Sequence, residues 1–187
     1  MACTSARIQA RTDARSARGL GWLAVAAVAG LIHAGFSAYW ALGGTWLLET
    51  VGEQVVEAFS GALWFIGLVA CAKLLAAVLP LAVEAVRSMP GWLRGAIRLV
   101  SWLGALGIIL WGGYGMIAAQ LALAGALGTV ADTSIPALIG HAWIWDPLFL
   151  VWGLALLIGL VRSRGPRLAG GLQPDRPESQ PRPRPVS

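Results

Sequence analysis

Four apolar runs separated by short polar segments dominate the 187-residue chain. A bilayer's hydrocarbon core is about 30 Å thick, so a helix needs about 20 apolar residues to cross it. Runs at about 20–42, 59–83, 97–125 and 144–162 supply them. The strictly apolar part of the fourth, PLFLVWGLALLIGLV, has only 15 residues, so Trp143–Trp145 are needed to complete the crossing. Charged residues make up 12% of the chain, where a soluble domain carries about a quarter. That is too little polar surface to cover a water-soluble globule.

The arginines set the orientation. They lie in the N-terminal segment, in the loop 84–98 and from Arg162 onward; the loops 43–58 and 126–146 hold none. Those two loops carry Glu49, Glu53, Glu57, Asp132 and Asp146 instead. With four crossings, all arginine-bearing segments fall on one side, which the positive-inside rule makes the cytoplasm. The net charge of +5 is therefore a topology signal, and no nucleic-acid partner is expected. One Lys against thirteen Arg fits a GC-rich bacterial genome. The expected location is thus the bacterial cytoplasmic (inner) membrane, with the lipid bilayer as first partner and a membrane protein or a second copy as a further one.

The predicted fold is all-α and integral to the membrane: a four-transmembrane-helix bundle, N- and C-termini cytoplasmic, with a short amphipathic helix in the first outer loop. That helix is read from Glu49, Glu53 and Glu57 recurring every four residues among leucines and valines. Residues 1–18 are read as a disordered Arg-rich tail, 19–162 as the transmembrane domain and 163–187 as a disordered Pro/Arg-rich tail. AVA at 27–29 offers a signal-peptidase motif, but the apolar run continues well past it. Asp146-Pro147 reads as the cap and first residue of the fourth helix. Gly112, Gly113 and Gly115 are candidate kink positions in the third. Trp40, Trp46, Trp143 and Trp145 are expected at the outer headgroups.

Few residues invite chemistry. His33, Ser37, Trp40 and Gly44 share one helical face of the first span. A polar face inside a membrane turns toward other helices. The packing reading, a neutral histidine bonded to a neighbouring helix, is preferred over a proton-handling one. Lys73 is the charge within a span, and is expected to snorkel toward the cytoplasmic side or to pair with Glu84. Cys3 and Cys71 lie at different levels, and no disulfide is expected. No Walker motif, HExxH or Ser-His-acid set is present, so no catalytic residue, cofactor or metal is assigned.

At YWALGG, 39–44, and WIWDPLFLVWG, 143–153, the chain resembles a bacterial family of small four-span membrane proteins known as a domain of unknown function, DUF3995. The likeness covers about residues 20–162. It implies the fold and the location, and no activity or cofactor. In that family a histidine lies closer to the first Trp than His33 does; here Ser37 holds that neighbourhood. The expected protein is a non-enzymatic binding or interaction protein with a small outer-leaflet pocket formed by His33, Ser37, Trp40, Trp143 and Asp146. A small transporter or channel subunit, for protons or a lipid, is the alternative.

Overall fold

The computed structural model describes residues 2–53, 56, 57, 61–86, 88–129, 131 and 134–163, with only the backbone described for 2–16 and 18. Among these residues all regular structure is helical. Helix α1 spans Ala2–Ala41, α2 Leu63–Ala85 and α3 Gly91–Leu123. The last crossing has three parts: α4 (Ile135–Gly140), a π-helical turn (His141–Trp145) and α5 (Asp146–Arg162). Four segments are long and apolar enough to cross a membrane: Gly19–Ala41, Leu63–Ala85, Gly91–Leu123 and Ile135–Arg162.

The helices alternate in direction. Helix α1 packs against α2 and α5, and α5 packs against α3, whereas α2 and α3 meet over a short stretch. The core contains Leu23, Ala26 and Ala29 of α1, Ala77 of α2, Ala105 of α3, and Trp152, Ala155, Leu156 and Leu160 of α5. Small residues dominate because lipid provides no hydrophobic force between helices, so close van der Waals approach holds them. A Cβ on Gly30 would come within 2.6 Å of Ala77 and 2.7 Å of the Trp152 ring. Large apolar side chains face outward instead: Leu110 is 72% exposed and Tyr114 78%. For a helix in lipid that is a favourable placement.

One end of the bundle gathers basic side chains. Arg94 donates to the carbonyls of Val83 and Val86, each at 2.7 Å, at the C-terminal end of α2. Arg98 pairs with Glu84 and donates to Leu160 O and Ser163 Oγ, both at 3.2 Å. Helix C-termini present unpaired carbonyls and partial negative charge, which guanidinium groups satisfy. The Arg162 guanidinium lies 5.7 Å from the Trp22 ring centroid.

Several expectations need correction. Residues 2–18 are helical and continue α1. That segment holds many Ala and Arg, both good helix formers, and lacks proline, so a helix nucleated in the apolar run propagates through it. Arg94 and Arg98 sit on the first turns of α3, not in a loop. Gly112, Gly113 and Gly115 of the continuous helix α3 face α5 or lie close to it. The first loop holds a 3₁₀ turn, Leu48–Val51, entered through Leu47 at φ 60°. Residues 53, 56 and 57 are helical, while 54, 55 and 58 of the expected amphipathic helix lie outside the described residues. The expected C-terminal tail also lies outside them beyond Ser163, as does Asp132.

Candidate functional site

At the end opposite the arginines, polar side chains converge from four segments. His33 and Ser37 stand one turn apart on α1, both buried, at 4% and 3% exposure. His33 Nε2–H donates to the Trp145 carbonyl at 3.1 Å. Its ring stacks on Phe149 at 3.8 Å between centroids and 21° between planes. Lys73 reaches across from α2: Nζ donates to Ser37 Oγ at 2.9 Å and lies 5.5 Å from the Phe149 centroid. That distance suits a cation–π contact. Lys73 therefore turns neither to the arginine-bearing end nor to Glu84, which is paired with Arg98. Among the described residues, Ser37 is its hydrogen-bond partner.

The π-helical turn organises the rest. Pro147 has no N–H, and its ring would crowd the carbonyl four residues back in an α-helix. A wider turn relieves that crowding and shifts bonding to the i−5 position. The i−5 carbonyl of Pro147 belongs to Ala142, and the Gln120 amide of α3 donates to it at 3.3 Å. Asp146 is thus not a helix cap. The chain is already helical before it, with φ −73° and ψ −39° at Asp146, and the residue is 1% exposed. Asp146 Oδ2 accepts from His141 Nδ1 at 3.0 Å, while Oδ1 has no partner among the described residues. A Cβ on Gly115 of α3 would collide with this carboxylate.

Trp145 is not an interfacial belt residue. It is buried at 3% exposure, and its indole N–H donates to Thr50 Oγ1 at 2.9 Å. Thr50 in turn donates to Leu47 O at 2.6 Å. Phe36 and Trp40 meet the Trp145 ring edge-on, at 5.1 and 5.2 Å. A Cβ on Gly140 would come within 2.7 Å of Thr50 Cβ, so this glycine lets α4 seat the 3₁₀ turn.

A pocket of about 370 Å³ adjoins the cluster between the ends of α1 and α2. Trp40, Gly43, Gly44, Leu48, Val51, Leu63, Ile66 and Val69 are among its walls, and Ser37 and Lys73 are its lining residues furthest from the loop that joins α1 to α2. Its size falls in the range of small-molecule sites, which are mostly apolar with a few convergent polar groups.

Of the five expected pocket residues, Ser37 and Trp40 line it, whereas His33, one turn earlier on α1, does not and bonds Trp145 O instead. Trp143 is 67% exposed and does not line it. Asp146 faces α3 and does not line it either. Nothing in the sequence singles out Thr50, Gln120, His141 or Phe149. Thr50 and Gln120 act over long separations that carry no local signal. His141 and Asp146 are five apart, a spacing that shares no face of an α-helix. Among the described residues no three metal-binding side chains come together.

No curated protein and no solved structure matches the chain. A family model does: the protein of unknown function DUF3995 matches residues 29–156. That range runs from the turn before His33 to Leu156, so it contains the whole polar cluster and the pocket. The match covers more than half of the chain, and the protein is a member of the DUF3995 family.

Proposed function

We propose that this is a non-enzymatic binding protein of the bacterial cytoplasmic membrane, with both termini in the cytoplasm, holding a small apolar or amphipathic molecule at the outer leaflet. The observation that carries the reading is the pocket between α1 and α2, walled by apolar side chains and closed inward by Ser37 and Lys73. Two hydrogen bonds fix side chains of its walls: the Trp40 indole donates to Trp46 O at 3.0 Å, and Lys73 donates to Ser37 Oγ. The arginine-bearing end supports the orientation, because positive segments are retained on the cytoplasmic side.

A transporter or channel subunit is the other reading. It needs a polar path from Lys73 to the arginine-bearing end. Ala26, Ala29, Ala77, Trp152 and Leu156 pack that region with buried apolar groups, which favours binding over conduction.

Two measurements test the proposal. Reporter fusions at each terminus should both read cytoplasmic; one external terminus overturns the orientation. Purified protein should be stabilised against heat by a subset of short-chain amphiphiles, and Val69→Trp, which fills the pocket, should abolish the gain. Equal stabilisation of the filled variant overturns the binding site.

A further inference from the structure

The pocket has apolar walls but a cation at its inner end. Lys73 stands ten residues into α2 from Leu63, about 15 Å along the helix axis. Its ammonium has three N–H groups, one of which goes to Ser37 Oγ. Among the described residues no carboxylate forms an ion pair with it: the two pairs present are Arg98–Glu84 and His141–Asp146. Ser37 accepts from Lys73, and among the described residues its own hydroxyl hydrogen makes no hydrogen bond. Two kinds of donor therefore converge on one point at the pocket's end, with no anion among the described residues to receive them. An ammonium held away from bulk water is costly until a counter-charge meets it.

We propose that the occupant is a single-chain amphiphile with a carboxylate-type anionic head, its head group bound by Lys73 and Ser37 and its chain lying against Ile66 and Val69. This rests on the binding reading above and adds the charge and form of the ligand. Charge complementarity selects an anion. The volume of about 370 Å³ suits one short chain, not the paired chains of a bilayer phospholipid. Charge-assisted hydrogen bonds are about twice as strong as neutral ones. The head group should therefore be worth at least about tenfold in affinity, since 1.4 kcal/mol corresponds to tenfold.

The test compares sodium laurate with dodecanol, which has the same chain and no charge, on the full-length protein in phosphatidylcholine nanodiscs. Laurate should bind saturably and at least about tenfold more tightly than dodecanol. Lys73→Met should bring the two to equal affinity, Lys73→Arg should keep the preference, and Ser37→Ala should reduce it. Retained dodecanol binding shows that a variant is folded; should Lys73→Met lose it, Ser37→Ala carries the comparison. Equal affinities in the unsubstituted protein would overturn the anionic head group while leaving the pocket as a binding site. A laurate preference that survives both Lys73→Met and Ser37→Ala would overturn their assignment. Displacement of laurate by phosphatidylglycerol in the disc would overturn the single-chain form. Absence of saturable binding by either probe, with no difference on Val69→Trp, would overturn the binding reading itself.

Discussion

His141 Nδ1 lies 3.0 Å from Asp146 Oδ2, although the two residues are five apart on one helical segment. In an α-helix such a pair points to different faces. The π-helical turn His141–Trp145 lowers the twist per residue and brings them together. Pro147 is the chemical cause of the turn, and Gln120 satisfies a carbonyl it leaves exposed.

Replacing Pro147 with Ala should restore a competing α-helical register and weaken the pair. The coupling between His141→Ala and Asp146→Asn, measured by a double-mutant cycle on thermal unfolding in detergent, should be about 0.5–2 kcal/mol in the unsubstituted protein. In the Pro147→Ala background it should fall toward zero. An unchanged coupling would show that the turn persists without the proline.

The glycines of α3 should separate into two groups. A Cβ on Gly112 would meet Asp146 O at 2.7 Å and Phe149 Cβ at 2.9 Å, whereas Gly107 has nothing within 4 Å. Gly112→Ala should destabilise by about 1–3 kcal/mol through overpacking. Gly107→Ala should be neutral, or stabilising by up to about 1 kcal/mol from helix propensity. Unfolding midpoints of the two variants check this directly, and equal midpoints would contradict the α3–α5 packing.

Thr50→Val keeps the shape of the side chain and removes the acceptor for the Trp145 indole N–H. Hydrogen bonds between membrane helices are worth about 0.6 kcal/mol on average and up to about 1.7. The variant should lose stability within that range. Its Trp145 emission should shift, measured in a background where the other tryptophans are replaced. A silent substitution would mean the 3₁₀ turn does not clamp Trp145.

Arg98 joins three helices through Glu84, Leu160 O and Ser163 Oγ. Arg98→Ala should cost about 1–3 kcal/mol, because it strands the partly buried Glu84 carboxylate, while Leu160 O keeps its bond from the Ser163 hydroxyl. Arg98→Lys should restore only part of this, since an ammonium cannot reproduce the guanidinium fork. Full rescue by lysine would assign the effect to charge alone.

The class of solvent and the number of crossings are written in the apolar runs alone. Apolar run length is a local property, and lipid enforces it residue by residue. The gathering of Arg94, Arg98 and Arg162 at one end was equally legible, as was the burial of His33 and Ser37 on one face of α1. The partners depend on which helices come to stand side by side. Lys73 could be placed at a depth from sequence, but its direction depends on which helix stands beside α2. That neighbour is α1, and Ser37 is what it offers. Asp146 and Trp145 were misplaced because Asp-Pro and Trp-rich segments are ordinary signals for a helix start and an interface. Here a helix already enters from Ile135. The π-helical turn then rotates Trp145 inward onto Thr50 and Asp146 toward Gly115, against segments far away in the chain. No local pattern encodes such pairings, because their energy arises only once the helices touch.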